Sequence, residues 1–291
     1  MDKIAVLMTC HNRINLTLEC LRYLYFAYEK SELKFNLDVF LTDDGSIDGT
    51  SDAVALNYPN VKLLKGNGNL FWAGGMRNSW EYALKNDYDG YLLLNDDTLV
   101  LENLFLEIVS TQKYAFKNFG IGGVYIGSTR DQTKGNRTYG GAKLKNKFLF
   151  TYDKLQPSKK IQECNLGNAN IMYVSNNVVK QIGILSEVYI HGVADYDYTL
   201  NAVRHRIPVL LMKDYLGTCS NNKSNKFEIF TNLTFKKRID FLYNPLGMAF
   251  IDNLHLMKRF FPLRLPAVFI MGWVKVLIPK VYIDFQNRIR H

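Results

Sequence analysis

Short apolar runs alternate with segments of helical periodicity along the first half of the chain. Buried strands are predicted at residues 4–8, 38–42, 61–64 and 91–94. Apolar side chains recur at helical spacing between residues 16 and 27, and a second helix is predicted from about residue 75 to residue 85. This alternation is typical of parallel strands joined by crossover helices. The chain is therefore predicted to be an α/β protein.

The second half of the chain has fewer regular signals, because Gly, Asn and Lys interrupt residues 121–190. The predicted elements there are a strand at 171–174, a helix at 193–204 and a late edge strand at 209–212. After Cys219 the composition shifts to Asn, Lys and Ser. We therefore expect one domain over residues 1–222 and a separate helical segment over residues 223–291.

Each predicted strand of the first half ends in polar or glycine-rich sequence. These strand ends are residues 9–13, 43–46, 66–69 and 95–97. In open α/β sheets, ligands bind in the crevice outside the carboxyl ends of the strands. The four segments are therefore expected to converge on one pocket.

The formal net charge of +9 is concentrated near the end of the chain. Residues 223–291 carry 12 Lys and Arg against 4 Asp and Glu, a balance of +8, whereas residues 1–222 balance to +1. A basic segment of this kind favours an anionic partner, either nucleic acid or the acidic face of a membrane. The four cysteines lack the spacing of a disulfide framework or a zinc site, which favours a reduced, cytoplasmic setting.

Two adjacent carboxylates, Asp96 and Asp97, directly follow the strand predicted at residues 91–94. Like charges at the end of a buried strand repel each other, and a divalent cation is the usual compensation. A solvated loop is the alternative interpretation. The pair is therefore a candidate metal site.

Two further acidic segments are weaker signals when taken alone. Residues 43–50 form either a ligand-binding turn or a plain turn followed by a helix cap. Asp195 and Asp197 stand at the start of a predicted helix, where the helix dipole favours an ionised carboxylate and where capping residues are common. The order and spacing of all three acidic segments are what point to a function.

The combination resembles the inverting, nucleotide-sugar-dependent glycosyltransferases of family 2, over about residues 3–215. The matching segments are TCHNR at 9–13, TDDGSIDGT at 42–50, GGMRN at 74–78, LNDD at 94–97 and DYDY at 195–198. The stretch GNLFWAGG at 68–75 is most similar to bacterial rhamnosyl- and galactofuranosyl-transferases. The resemblance implies the GT-A fold, a Rossmann-like α/β fold with a mostly parallel central sheet, here followed by a C-terminal helical segment.

The resemblance also implies a site for a nucleoside-diphosphate sugar. The departing diphosphate is doubly negative, so the site must supply a cation and fixed donors. Asp97, with Asp96 beside it, matches the carboxylate pair that holds Mn²⁺ or Mg²⁺. Asp43 matches the residue that contacts the base or ribose. Thr9 and Arg13 match the first nucleotide-binding loop, where Arg13 can also face a phosphate.

Two glycines of the same motif set, Gly74 and Gly75, are expected at the donor site as well. Because glycine has no side chain, its backbone can approach a ligand closely. A turn before the predicted helix is the alternative interpretation.

On the acceptor side, inversion needs one base that removes the proton of the attacking hydroxyl. Asp195 matches that base, and Asp197 is expected either to support the base from behind or to orient the acceptor. Two positions depart from the family pattern: Ala194 stands where many relatives have Glu, and residues 215–220 lack the histidine that relatives often place there. His191 is interpreted as a structural residue rather than as a metal ligand.

Cationic and aromatic residues are interleaved between residues 236 and 280. Helices with an apolar face, a cationic face and aromatics at the boundary bind in the plane of anionic membranes. A packed helical lid or a dimer interface is the alternative. Nucleic acid is disfavoured, because no recognised binding motif is present and the aromatics cluster with aliphatic residues.

The sequence therefore predicts a metal-dependent, inverting glycosyltransferase of bacterial surface polysaccharide assembly. It would move a sugar from a UDP- or dTDP-sugar to a glycan or lipid-linked saccharide acceptor, in the cytoplasm or peripherally on the inner face of the cell membrane. One alternative is a nucleotidyltransferase of related fold, although residues 9–13 lack the glycines of a phosphate-gripping loop. The other is a catalytically degenerate protein that binds sugar nucleotides.

Overall fold

The computed structural model describes residues 2–220, 226–280 and 282. The strands are β1 (Lys3–Cys10), β2 (Asn36–Asp43), β3 (Lys62–Lys65), β4 (Gly90–Leu94), β5 (Leu99–Val100), β6 (Val124–Arg130), β7 (Gly141–Asn146), β8 (Thr151–Lys154), β9 (Gln162–Glu163), β10 (Leu166–Gly167), β11 (Ile171–Ser175) and β12 (Val209–Thr218). The helices are α1 (Ile14–Lys30), α2 (Thr50–Asn57), α3 (Phe71–Ala83), α4 (Leu104–Phe119), α5 (Asn176–Ile182), α6 (Ala194–Arg204), α7 (Lys226–Thr231), α8 (Phe235–Tyr243), α9 (Phe250–Phe260) and α10 (Leu265–Leu277). A 3₁₀ turn, Pro262–Arg264, joins α9 to α10.

The central sheet has nine strands in the order β3-β2-β1-β4-β11-β6-β12-β5, and β9 also pairs with β12. Strands β3, β2, β1, β4, β6 and β12 run in one direction, and β11, β5 and β9 run against them. Six of the nine strands are thus parallel, as predicted for a mostly parallel sheet. A second, antiparallel sheet has the order β10-β7-β8.

Successive residues of the central strands enter two different cores. Val6 and Leu92 pack on the face covered by α1 and α4, whereas Leu7 and Leu93 pack on the face covered by α3, α5 and α6. Side chains alternate between the two faces of a strand, so a strand that is buried on both faces reads as a continuous apolar run. This is why β1 and β4 are recognisable in the sequence.

Two elements differ from their predicted bounds. Helix α3 begins at Phe71 rather than near residue 75, so Gly74 and Gly75 lie inside the helix. The strand predicted at 209–212 continues to Thr218, and it is not an edge strand, because β6 pairs on one side of it and β5 and β9 pair on the other. The register of β12 shifts between Leu211 and Tyr215, and this irregularity breaks the apolar pattern.

The described part of the C-terminal segment folds into α7 to α10 and packs on the rest of the protein. One small core joins Leu256, Met257 and Phe261 to Leu166 of the second sheet and Leu200 of α6. A second core forms within the segment itself. Within residues 2–220, 226–280 and 282, no helix is long and apolar enough to cross a membrane.

Candidate active site

The four polar strand ends meet at one edge of the central sheet, as predicted. A cavity of about 260 Å³ opens there. Its walls come from Thr9, Cys10, His11, Arg13, Asp44, Gly68, Phe71, Trp72, Asp96, His191 and Leu246. Each of the four strand ends contributes to this lining, and the last two residues come from the loop before α6 and from the C-terminal segment.

The turn after β2 is fixed by its two carboxylates. Asp43 accepts hydrogen bonds from the backbone N–H of Ser46, at 2.8 Å, and from the Ser51 hydroxyl. Asp44 accepts bonds from the backbone N–H groups of Gly68, at 2.8 Å, and of Phe71, at 2.9 Å. Asp44 thereby stabilises the N-terminus of α3, where a carboxylate is favoured. The contact of Asp43 with a base or ribose stays a prediction, and Asp44 joins the cavity wall beside it.

The two glycines of α3 serve packing within the protein. Both are buried, and a Cβ on Gly75 would overlap the Thr9 side chain, whereas a Cβ on Gly74 would come within 3.2 Å of the Leu70 Cβ. The close approach at Gly75 is therefore between α3 and β1. The alternative interpretation of a turn before the helix is therefore wrong, because both glycines lie inside α3. Their place at the donor site stays a prediction.

Arg13 bridges the carboxylate pair. Its Nη1 atom lies 3.1 Å from Asp96 Oδ1 and 3.0 Å from Asp97 Oδ2. The Arg13 side chain is 41% exposed, against 7% for Asp96 and 14% for Asp97, so the cation faces the cavity and the carboxylates lie behind it. Burial raises the pKa of Asp96 to about 7, although Arg13 opposes the shift.

Cys219 lies beside the same pair, directly after β12. Its thiol donates weakly to Asp97 Oδ1 over 3.6 Å. Burial, and then the neighbouring Asp97 charge, raise the pKa of Cys219 to about 12, so the sulfur stays a neutral thiol at neutral pH.

The donor chemistry of the carboxylate pair fits a hard divalent cation. Mg²⁺ is usually held by one or two carboxylates together with substrate phosphates and water. Asp96 lines the cavity, and Asp97 lies beside it on the other side of the shared Arg13 guanidinium. In the part of the chain that the structure describes, no group of three or more His, Cys, Asp or Glu side chains is arranged to hold a metal ion. Any cation here would depend on the ligand for its remaining contacts.

Asp195 lies in the first turn of α6. Its Oδ1 accepts the backbone N–H of Tyr196 at 2.8 Å, and its Oδ2 accepts long bonds of 3.3 Å from the side chain of Asn168 and the backbone N–H of Ala169. Burial raises the pKa of Asp195, and these hydrogen bonds partly offset the rise. The residue remains partly exposed, so a carboxylate with raised basicity stays accessible from solvent.

Asp197 follows Asp195 by two residues in the first turn of α6, and its side chain is buried. Tyr189 donates to its Oδ1 at 2.8 Å, and Arg259 of α9 donates to its Oδ2 at 2.6 Å. Its side chain is 3% exposed, whereas that of Arg259 is 36% exposed. Asp197 therefore ties α6 to the C-terminal segment, and its role on the acceptor side stays a prediction.

The C-terminal segment also fixes the loop before α6. Asp252 of α9 accepts the backbone N–H groups of His191, at 3.1 Å, and Gly192, at 2.9 Å. Leu246, in the turn before α9, lines the cavity. Neither Asp252 nor Leu246 was predicted as a site residue from the sequence, although an acidic residue within a basic and apolar segment is a usable signal.

Comparisons with known proteins bear on the fold. No protein-family model matches the chain, and no curated protein sequence matches it. Among solved structures, the chain is similar to the crystal structure of S. aureus TarS 1–349 in complex with UDP, with 13% sequence identity and a TM-score of 0.53. The similarity covers 78% of this chain but only 63% of the TarS chain. At this identity it shows the fold alone, and it confirms the predicted GT-A, Rossmann-like architecture.

Proposed function

We propose that the protein is an inverting glycosyltransferase that uses a UDP- or dTDP-sugar. The observation that carries the proposal is the placement of Asp96 and Asp97 at the carboxyl end of the sheet, with Asp195 in the first turn of α6. The loop that leads into α6 supplies His191 to the cavity wall, so the two carboxylate sites belong to one region. A solved structure of similar fold has UDP bound, which supports a nucleotide-sugar donor for this protein.

On the donor side, Asp96 and Asp97 would hold Mn²⁺ or Mg²⁺. The cation would neutralise the diphosphate and so stabilise the leaving group. Arg13 already lies between the two carboxylates, and its exposed guanidinium is well placed to pair with a phosphate once a cation takes over the carboxylates. Thr9 and Gly68 complete the wall around it.

On the acceptor side, Asp195 would act as the general base. The acceptor oxygen attacks the anomeric carbon, its proton passes to the Asp195 carboxylate, and the bond from the anomeric carbon to the diphosphate oxygen breaks with its electron pair on the diphosphate. Attack and departure on opposite faces invert the anomeric centre. The raised pKa of Asp195 suits this role, because a base works best when its pKa approaches the working pH.

We further infer that the acceptor is a glycan or a lipid-linked saccharide of bacterial surface polysaccharide assembly. The basic, aromatic-rich C-terminal segment supports this assignment, since such helices bind anionic membrane surfaces. The enzyme would then work on the inner face of the cell membrane.

The proposal is tested by metal-dependent release of UDP or dTDP from a panel of sugar nucleotides with a saccharide acceptor. The parent protein is compared with Asp97→Ala, Asp195→Asn and the control Asp52→Asn, a substitution at an exposed position of α2. We expect the first two variants to lose turnover and the control to keep it. Turnover unchanged in both would contradict the assignment.

The same assay separates the alternatives. A nucleotidyltransferase would form a sugar nucleotide from a sugar phosphate and a nucleoside triphosphate and would release pyrophosphate instead of a nucleoside diphosphate. A degenerate binding protein would bind UDP in calorimetry and release none from any donor.

A further inference from the structure

The hairpin between β7 and β8 ends in an apolar, cationic tip. Phe148 is 71% exposed and Leu149 is 59% exposed, and the exposed Lys147 precedes them. Isolated exposed apolar residues are common on protein surfaces. Two large apolar side chains side by side on a protruding turn, beside a lysine, call for a partner.

The turn between α9 and α10 lies against this tip. Residues Lys147 and Phe148 share a cleft of about 300 Å³ with Pro262–Arg264, and the Arg264 guanidinium donates to the Leu149 carbonyl. Leu263 in this turn is 76% exposed. The hairpin tip and the turn therefore form one continuous surface, here called the docking patch, which consists of Lys147, Phe148, Leu149, Pro262 and Leu263.

The charge around the docking patch is positive. Lys143 and Lys147 are exposed along the hairpin, and Lys258 is exposed on α9 at the edge of an apolar groove that also contains Phe269. Each lysine near an anionic lipid surface contributes about 1 kcal/mol of attraction. Apolar side chains surrounded by cations thus match the two layers of an anionic membrane interface, with its headgroups outside and its acyl chains beneath.

The shape of the docking patch favours a bilayer over a protein partner. Its exposed apolar side chains stand on two short turns, with Phe148 71% and Leu263 76% exposed. A stable protein interface needs about 800 Å² of matching surface on each partner, whereas a few exposed apolar side chains can enter between lipid headgroups without a shaped counterpart.

We propose that the docking patch inserts into an anionic bilayer, with Phe148, Leu149 and Leu263 among the headgroups and Lys147 paired with lipid phosphates. The inference deepens the proposed function, because it states which face of the enzyme meets a lipid-linked acceptor. Tyr152 of β8 packs against Tyr196, the neighbour of Asp195, with ring centroids 6.3 Å apart. Insertion of the hairpin therefore brings the acceptor side of the site to the membrane.

Vesicle flotation tests the proposal on the full-length protein. The vesicles consist of phosphatidylcholine alone or of phosphatidylcholine mixed with phosphatidylglycerol. The test variants are Phe148→Ser/Leu149→Ser and Leu263→Ser. The matched control is Leu56→Ser, because Leu56 is 82% exposed on α2 and does not belong to the docking patch. Each lost Phe or Leu is expected to lower the partition coefficient about tenfold, whereas Leu56→Ser should leave it unchanged.

Two further measurements separate insertion from charge attraction. Lys147→Glu should weaken binding to the phosphatidylglycerol vesicles and leave the weaker binding to phosphatidylcholine unchanged. The emission of Phe148→Trp should be quenched by vesicles that contain brominated phosphatidylcholine, compared with the parent, whose own tryptophans give the background.

Several outcomes would overturn the proposal. One is equal flotation of the parent and the Phe148→Ser/Leu149→Ser variant. Another is a changed oligomeric state of that variant in light scattering with unchanged flotation, which would make the docking patch an interface between protein chains. Nucleoside diphosphate release with a water-soluble acceptor should be the same in parent and variant, so failure of the glycosyltransferase proposal would appear in that assay and not in flotation.

Discussion

The strand-end site and the docking patch differ in which side chains they bury and which they expose. Around the strand ends, charged side chains are buried and paired: Asp44 holds the start of α3, and Arg13 neutralises Asp96 and Asp97. On the docking patch, apolar side chains such as Phe148 and Leu263 are exposed. We propose that the first region binds a charged, water-soluble ligand and that the second meets a membrane. The Tyr152–Tyr196 ring contact connects the hairpin of the docking patch with the helix that carries Asp195.

The largest expected effect is at Asp195, the proposed general base. Asp195→Asn keeps the shape and removes the base, so kcat should fall about 10³-fold. The measurement is nucleoside diphosphate release with a soluble acceptor, and thermal unfolding checks that the fold is intact. A loss smaller than about tenfold would exclude Asp195 as the general base.

The next effect concerns the ion pair between Arg259 of α9 and Asp197 of α6. In Arg259→Ala, the buried Asp197 keeps the Tyr189 hydroxyl but loses its cation. Breaking a fully buried pair costs ~3–5 kcal/mol, and because Arg259 is partly exposed we expect about 2 kcal/mol less unfolding free energy in urea titrations.

Two variants control this measurement. Adding Asp197→Asn to Arg259→Ala should restore part of the stability, because it removes the unpaired charge. Lys145→Ala breaks the exposed pair with Asp153 and should cost less than about 0.5 kcal/mol. Equal losses of unfolding free energy from Lys145→Ala and Arg259→Ala would mean that the Arg259–Asp197 pair does not hold α9 to α6.

A third prediction concerns the pH dependence of the carboxylate pair. The pKa of Asp96 is about 7 because of burial, so protons compete with a cation below that pH. Mn²⁺ affinity, followed by calorimetry, should rise about tenfold per pH unit below pH 7 and level off above it. The neutral carboxyl favours the folded state, so its contribution to stability is present at low pH and is lost as the pH rises through 7.

Asp96→Asn is the control for this titration, because it should flatten both pH profiles. An Mn²⁺ affinity that does not change between pH 6 and pH 8 in the parent would show that Asp96 is not a ligand.

The smallest effect is expected at Gly75, where α3 packs against β1. Gly75→Ala would overlap the Thr9 side chain, which costs ~1–3 kcal/mol, and the better helix propensity of alanine returns about 1 kcal/mol. We expect a net loss of about 1 kcal/mol in unfolding free energy. In Gly74→Ala the new Cβ comes within 3.2 Å of the Leu70 Cβ, a tight contact but a much smaller overlap than the one at Gly75, so the loss should be smaller. Equal effects at both positions would contradict the packing role of Gly75.

The parts of the fold that were predictable are those with a strong local signal. Strands β1 and β4 are buried on both faces and read as apolar runs. Strand β6 was missed because Gly127 and Ser128 interrupt its apolar residues, and Gly127 is there for packing, since a Cβ would overlap Ile171. The hairpin of β7 and β8 was missed because its exposed, lysine-rich strands resemble a loop.

The candidate site also contains features that a local sequence signal predicts and features that it does not. The adjacency of Asp96 and Asp97 is a local signal, and their place at the end of a strand followed from it. The bridge from Arg13 joins residues more than 80 positions apart, and the bond from Asp252 to His191 joins residues 61 apart. Contacts of that range depend on how the helices dock, and no local pattern encodes them.

Asp252 holds the loop before α6, and Leu246 lines the cavity. If the protein is the glycosyltransferase proposed above, this arrangement affects how related chains can diversify. The last quarter of the chain furnishes part of the pocket as well as part of the docking patch. An exchange of C-terminal segments between related proteins would therefore change part of the cavity wall and part of the docking patch at the same time. Substrate selectivity and membrane binding would then change together.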